Sequence, residues 1–150
     1  MRPAVVLCHG SSGPRDWGFL PDLADRLARA GFAVVSFDFA DARVESQLHE
    51  LGVVLEALRR GTVGVAAEAY GLIGHDTGGA IALLRGAADE RVRALVTWAT
   101  TAPVGSDDSA IDLLSAARAV RVPLLELPGS NPTLEQSVRA SIDWMARHLP

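Results

Sequence analysis

The sequence predicts an α/β fold, a three-layer α/β/α sandwich built around a mainly parallel sheet of about five strands. Apolar, β-prone runs alternate along the whole chain with segments whose apolar residues recur at helical spacing. The strand runs are apolar at successive positions, which is typical of strands that are covered on both faces. No internal repeat, low-complexity tract or linker interrupts the 150 residues, so we expect one domain, 1–150, with the strand order 2-1-3-4-5.

The first half of the chain predicts two strands and two helices. Ala4–Cys8 is a continuous apolar run, and a loop rich in small residues follows it. The segment 19–30 carries its apolar residues on one helical face, and a glycine directly after it predicts its end. A second strand covers 32–37. Leucines at helical spacing then predict a helix over 44–60 that ends at Gly61.

The second half of the chain begins with the stretch around which the rest is organised. Residues 71–84 read as a buried strand, a very tight turn and a helix, because an apolar run stops at a cluster of glycines and an Ala- and Leu-rich segment follows. The remaining predicted elements are a strand over 91–99, a short helix over 109–120, a strand over 122–127 and a final helix opened by Asn131 or Thr133.

Composition and charge exclude several classes of partner. The net charge is −4 and no cluster of basic residues stands out in the sequence, which argues against binding to nucleic acid or to an anionic membrane. The apolar run near the N-terminus is too short for a signal peptide or a membrane span. A single cysteine, Cys8, supplies neither a disulfide framework nor a metal cluster. We therefore expect a cytoplasmic protein with no nucleic-acid or membrane partner, and we expect no metal or other cofactor.

The tight turn, Gly74-His75-Asp76-Thr77-Gly78-Gly79, indicates where a ligand would bind. Small residues on both sides of its apex let the backbone bend sharply and let the helix pack close to the strand. Asp76 stands at the apex, so we expect it at the carboxyl edge of the sheet, above the N-terminus of the following helix. Sheets with this strand order bind ligands at that edge. The residues expected there are His9, Gly10, Ser11, Ser12, Asp38, Asp76, Thr77 and the loop after Thr97.

Three stretches together resemble the α/β-hydrolase superfamily, namely Val5–Gly10, Ser36–Asp38 and Gly74–Gly79. The predicted strand at 91–99 is also similar to the strand after the elbow helix in dienelactone-hydrolase-like and esterase-like members. The resemblance covers about residues 3 to 102, and it implies a minimal α/β-hydrolase-like core without a cap domain, truncated in its C-terminal part. The usual motif at the nucleophile elbow is G-x-S-x-G. Here Asp76 replaces the serine, as in haloalkane dehalogenases and epoxide hydrolases.

The resemblance also implies an oxyanion hole at this edge. In such families, the loop after the His-Gly pair and the residue after the nucleophile supply backbone N–H groups that stabilise a developing oxyanion. By position, these groups belong to Ser11 (or Ser12) and to Thr77. Two tryptophans, Trp17 and Trp98, are expected either to line a pocket at this edge or to pack in the core.

Asp76 has three interpretations. As a nucleophile, its carboxylate attacks carbon and forms an ester intermediate. As the replacement of an ancestral serine, it abolishes ordinary acyl transfer. As a structural residue, it caps the elbow helix. Relatives with an aspartate nucleophile use helper residues that this chain lacks: Thr77 stands where dehalogenases commonly have tryptophan, and the only tyrosine is Tyr70.

The resemblance leaves the catalytic base unassigned. Residues 127–133 look like the stretch that normally carries the histidine, yet they contain none, which indicates that a segment between two late strands has been lost. His9 ends the strand beside the elbow and is the candidate substitute base, although the family's histidine at this position is usually structural. The other histidines, expected in surface or packing roles, are His49, His75 and His148. The candidate acids, with solvation or helix capping as the alternative, are Asp107, Asp108 and Glu126.

Two functions of different class follow from these residues. The first is a small hydrolase that cleaves an ester, an epoxide or a carbon–halogen bond through Asp76, with His9 as the candidate base. The second is a catalytically incomplete domain of the same fold, which binds a small molecule or is an engineered or minimal scaffold. The loss of late strands exposes a sheet edge, and this favours a homodimer.

Overall fold

The computed structural model describes residues 3–10, 14–16, 18–64, 66–100, 113–128 and 134–149. Strands and helices alternate along this part of the chain, which confirms the predicted α/β class. The elements are β1 (Ala4–Cys8), α1 (Leu20–Arg29), β2 (Ala33–Phe37), α2 (Val44–Arg60), β3 (Tyr70–His75), α3 (Thr77–Ala88), β4 (Val92–Trp98), α4 (Leu113–Ala119), β5 (Leu124–Leu127) and α5 (Leu134–His148).

Within the described residues, the strands form one parallel sheet in the predicted order, β2-β1-β3-β4-β5. The register aligns the strand ends: Cys8 lies beside both Phe37 and Gly74, and His75 lies beside Trp98. The carboxyl ends of four neighbouring strands therefore meet along one edge. Of the residues singled out as the candidate site, His9, Asp38, Asp76 and Thr77 are described, and they lie at that edge.

Helices cover both faces of the sheet, because its central strands are apolar at successive positions. Alternate side chains of a strand point to opposite faces. On one face Val6 and Leu72 pack with α2 and α3, in a cluster that also contains Leu51, Leu55, Leu58 and Ile81. On the other face Val5 and Ile73 pack with α1 and α5, in a cluster that also contains Leu23, Leu27, Val138 and Met145. The three layers of the predicted sandwich are thus present.

The element boundaries follow local backbone chemistry. Helix α2 ends as predicted at Gly61, which has a φ of 74°. Strand β4 ends one residue earlier than expected, because Ala99 has a φ of 53° and leaves the extended region. The expected start of the fourth helix at 109 and the capping residues Asn131 and Thr133 lie outside the described residues.

Cys8 is fully buried in β1, as expected for a strand residue. Burial raises the pKa of its thiol to about 12, since the thiolate would lose its hydration in the core. A thiol in this state is a poor nucleophile.

Strand β5 is at one edge of the sheet, and its outer side pairs with no strand of the described chain. Leu124 and Leu125 are half-buried there, and Glu126 is exposed. A homodimer through this edge stays a prediction. None of the described helices is both long enough and apolar enough to cross a bilayer.

Candidate active site

Asp76 is the single residue that connects β3 to α3, and its backbone is strained. It has a φ of 55° and a ψ of −124°, a region that L-residues other than glycine seldom occupy. Such a conformation costs on the order of 1–3 kcal/mol and persists only where the surrounding structure enforces it. The turn is therefore a sharp elbow that holds the aspartate at the carboxyl edge of the sheet.

The glycines around the elbow are required by close backbone approach. A Cβ atom on Gly74 would overlap the carbonyl oxygen of Gly78. A Cβ atom on Gly78 would overlap the carbonyl oxygens of Cys8 and His9. The N-terminus of α3 thus packs directly on the ends of β3 and β1, as the small residues predicted.

The end of β4 holds both backbone polar groups of Asp76. The Asp76 N–H donates to the Trp98 carbonyl at 2.8 Å. The Asp76 carbonyl accepts from the Thr100 hydroxyl at 2.8 Å and from the Gly79 N–H at 3.0 Å. Sequence reasoning placed the loop after Thr97 at this edge but missed Thr100 as a support of the elbow. The signal available was only its position, directly after a strand that borders the elbow strand.

Thr100→Val is expected to lower the free energy of unfolding by about 1 kcal/mol, because it removes one hydrogen bond to the strained residue and keeps the side-chain shape. Thr100→Ser keeps the hydroxyl and should lose less than the valine variant. Urea unfolding of both variants measures the difference. A valine variant as stable as the wild type would contradict a contribution of this hydrogen bond.

The carboxylate of Asp76 lies between the end of β1 and the start of α3. A Cβ atom on Gly10 would come within 2.6 Å of the Asp76 Cβ and 3.0 Å of its Oδ2, so the β1 loop backbone lies against this side chain. Asp76 is the residue before α3, yet its side chain makes no capping hydrogen bond to that helix. The unpaired N–H groups at the N-terminus of α3 create partial positive charge beside this side chain.

A cavity of about 300 Å³ lies at this edge, and Asp76 is not among its described lining residues. Gly10, which contacts Asp76, and Thr77, the first residue of α3, both contribute to its wall. Two carboxylates in the lining are balanced by arginines: Asp38 pairs with Arg15, and Asp41 pairs with Arg43. The full lining comprises His9, Gly10, Pro14, Asp38, Phe39, Asp41, Ala42, Gln47 and Thr77.

The model of the Alpha/beta hydrolase family matches residues 5–149 of the chain. The chain belongs to the α/β-hydrolase family. Its fold is similar to a dienelactone hydrolase from Anabaena variabilis, at a TM-score of 0.76 and 18% identity over 99% of this chain and 88% of that one. It is also similar to the esterase Pf2001 of Pyrococcus furiosus, at a TM-score of 0.76 and 15% identity over 99% and 84% of the two chains. These identities show a shared fold, and no curated protein matched the chain.

His9 uses both ring nitrogens to join the ends of β1 and β2 in this α/β-hydrolase fold. Its Nε2 accepts from the Phe39 N–H at 2.9 Å, so the ring proton is on Nδ1, which donates to the Gly10 carbonyl at 2.8 Å. The ring also lies 5.1 Å from the Phe39 ring. To accept a proton, His9 would have to break the bond to Phe39. Its role as a general base stays a prediction.

Trp98 lies within the core beneath the site. It is 6% exposed, its indole N–H donates to the Ser141 hydroxyl at 2.9 Å, and it stacks on Phe19 at 4.2 Å. It is not among the residues that line the cavity beside Asp76. Core packing, one of the two expectations for this tryptophan, accounts for these contacts.

His75 shares the aromatic group formed by Phe19 and Trp98, 5.2 Å from the Phe19 ring. Burial lowers the pKa of its imidazole, and the neighbouring Asp76 charge offsets part of that effect. The elbow histidine of this α/β-hydrolase therefore favours its neutral form.

This lowered pKa predicts a pH dependence of stability. The folded state binds a proton on His75 less readily than the unfolded state does. The contribution of neutral His75 to the free energy of unfolding is therefore complete above the unfolded pKa of about 6.5, and it is lost as the pH falls below that value. The free energy of unfolding of the wild type should drop more between pH 7 and pH 5 than that of His75→Gln. Urea unfolding at both pH values provides the comparison, and identical pH slopes in the two proteins would contradict the prediction.

Three of the remaining candidate site residues lie in the part of the chain that the structure describes, and five lie outside it. His49 is exposed on α2, and His148 lies in the last turn of α5, away from the elbow edge. Glu126 is exposed on β5. In the described ranges no three His, Cys, Asp or Glu side chains converge as a metal site would require. The candidates that lie outside the described residues are Ser11, Ser12, Trp17, Asp107 and Asp108.

Proposed function

We propose that this α/β-hydrolase domain attacks small electrophiles through the carboxylate of Asp76, at an ester, an epoxide or a carbon–halogen bond. The observation that supports this is the strained elbow, which holds an aspartate beside the N-terminus of α3 and against Gly10, a residue of the cavity wall. A residue that served only as a helix cap would bond to the first turn of α3, and Asp76 makes no such bond.

The first chemical step is displacement at carbon. An Oδ atom of Asp76 forms a bond to the electrophilic carbon, and the carbon–halogen or carbon–oxygen bond breaks. The electron pair leaves with the halide, or with the epoxide oxygen, which then takes a proton from water. With an alkyl halide or an epoxide, the product is an alkyl ester of Asp76. With a carboxylic ester, Asp76 attacks the acyl carbon, the alcohol or phenol leaves with the electron pair of the broken carbon–oxygen bond, and the product is an acyl anhydride of Asp76. Alkyl groups of a few carbons fit the space beside Gly10 and Thr77.

The second step is hydrolysis of that ester. Water attacks the ester carbonyl, and negative charge develops on the former carboxylate oxygen, where the backbone N–H groups of Thr77 and Ser11 (or Ser12) would stabilise it. This step needs a base to take the proton from water. Because His9 already donates to Gly10 and accepts from Phe39, we propose that hydrolysis is slow and that the ester accumulates.

A second candidate function is a small-molecule-binding or minimal scaffold domain without chemistry. The engaged ring of His9 favours it, since a complete triad needs an available imidazole. The cavity beside Asp76, with its paired charges, would then bind a neutral or weakly polar ligand. In either case we propose a small-molecule partner and action in the cytoplasm.

Intact-mass measurement separates these functions. The protein is incubated with butyl bromide, butylene oxide and p-nitrophenyl acetate, and the mass of the chain and the release of product are followed together. A stable alkyl adduct supports the nucleophile with arrested hydrolysis. Product without adduct supports a complete hydrolase and overturns the slow second step. Neither adduct nor product with any probe would overturn the nucleophile proposal in favour of binding alone.

A further inference from the structure

A separate cavity of about 450 Å³ lies at the amino edge of the sheet, opposite the elbow. Its wall is formed where β3, β4 and β5 begin and where α5 ends. Strand β4 alone has 7 residues, which corresponds to roughly 20 Å between the two edges. The site is therefore independent of the proposed chemistry at Asp76. Its lining comprises Ala69, Arg93, Arg121, Val122, Pro123, His148 and Leu149.

The ionisable residues of this lining all carry positive charge or can acquire it. Arg93, Arg121 and His148 line the cavity, and none of its described lining residues has a carboxylate side chain. By contrast, the cavity between α2 and α3 includes Glu56, and the cavity beside Asp76 includes two aspartates. Clustered cations without a counter-charge repel one another, so an anion bound between them would be stabilised.

Neither arginine of the cavity is used elsewhere in the described part of the chain. Arg93 and Arg121 make no ion pair or side-chain hydrogen bond there, although the chain carries more acidic than basic residues. Most other described arginines do pair with carboxylates. These are Arg15, Arg26, Arg29, Arg43, Arg59, Arg60, Arg91 and Arg139.

The rest of the wall is apolar and well anchored. Leu149 is 2% exposed, and its N–H donates to the Met145 carbonyl at 2.8 Å. Trp144 lies 4.3 Å from the His148 ring and donates from its indole to the Pro123 carbonyl at 3.4 Å. A fixed apolar wall beside two cationic side chains fits a ligand with an anionic end and a small apolar body.

We propose that this cavity binds the phosphate group of a small organic phosphate ester. The planar guanidinium group of arginine donates two parallel hydrogen bonds to phosphate, and a dianionic group matches two arginines better than a monocarboxylate does. His148 adds a ring nitrogen as a further hydrogen-bonding group. The apolar wall at Val122, Pro123 and Leu149 contacts the organic part.

The test is a titration of the ¹⁵N-labelled full chain with phenyl phosphate and, separately, with inorganic phosphate. Amide chemical shifts are measured at each ligand concentration. Sodium chloride at equal ionic strength is the control for general screening. We expect saturating shifts at the amides of Arg93, Arg121 and Leu149, with tighter binding of phenyl phosphate than of inorganic phosphate. Chloride should not reproduce these shifts.

Two variants decide whether the arginines are responsible. Arg93→Gln/Arg121→Gln should weaken phenyl phosphate binding at least tenfold. Arg118→Gln, the same change on an exposed arginine of α4 outside the lining, should leave it unchanged. The spectra themselves report whether each variant is folded. If the double variant does not fold, the single variant Arg121→Gln takes its place. Equal binding by wild type and arginine variant, equal affinity for the two phosphates, or the same shifts with chloride would overturn the proposal.

Discussion

Asp76→Asn is expected to abolish covalent capture of alkylating probes, with a loss of at least about a thousandfold in the rate of adduct formation. The amide has the shape of the carboxylate but neither its charge nor its nucleophilic oxygen. Asparagine also tolerates positive φ, so the strained elbow can be kept at a φ near 55°. Intact mass after incubation with butyl bromide measures the rate, and thermal unfolding verifies the fold.

Asp38→Asn is the matched control for this prediction. Asp38 lines the cavity at the elbow edge of the sheet. Its carboxylate pairs with the Arg15 guanidinium and accepts a hydrogen bond from the Arg15 backbone N–H at 2.7 Å. Its loss removes a charge at the same edge and leaves the elbow in place, so the rate of capture should stay within about twofold. Adduct on Asp76→Asn at the wild-type rate, or peptide mapping of the adduct to another residue, would reject Asp76 as the nucleophile.

Gly78→Ala is expected to lower the free energy of unfolding by about 3 kcal/mol. The added methyl group would overlap the backbone carbonyls of Cys8 and His9, at the centre of the sheet. Backbone atoms in a central strand cannot move aside as the end of a flexible side chain can. Relief would require α3 to shift away from β1, which would also displace Asp76. Urea unfolding gives the loss of stability, and the rate of capture should fall as well.

Gly52→Ala makes the same chemical change at a helical glycine where the neighbour can move. A Cβ atom on Gly52 would lie 3.0 Å from an Nη2 atom of Arg85, which donates to the Leu48 carbonyl at 2.7 Å. Alanine is favoured over glycine by up to about 1 kcal/mol inside a helix, and this gain offsets a small shift of the guanidinium. We expect a change within about 1 kcal/mol of wild type. Similar large losses in both variants would contradict the backbone-overlap explanation for Gly78.

The fold was predictable because its signals are local. Each central strand is a short apolar run, and helices α1, α2 and α5 each have one apolar face. The elbow was equally visible, since glycines at 74 and 78 are required by contacts that any backbone of this geometry must make. Family membership follows from the same stretches.

The supports of the site could not be predicted, because they join residues that are distant in the chain. Thr100 bonds to a carbonyl that lies 24 residues earlier, and His9 bonds to an N–H that lies 30 residues later. No periodicity reports such a pairing. Arg93 and Arg121 likewise look like ordinary surface charges until β4 and β5 are placed side by side. Sequence reasoning therefore identified the apex of the elbow but not what holds it.

The central position of β1 has a consequence for how the chain acquires its structure. β1 precedes the other described strands in sequence, and it pairs with β2 on one side and with β3 on the other. Ala4 of β1 pairs with Tyr70, which lies 66 residues later in sequence, so the pairing of β1 with β3 joins two distant segments of the chain. Parallel pairing over such a separation carries a large loop-closure entropy and forms slowly. We therefore expect the docking of β3 onto β1, which also creates the elbow, to limit the folding rate.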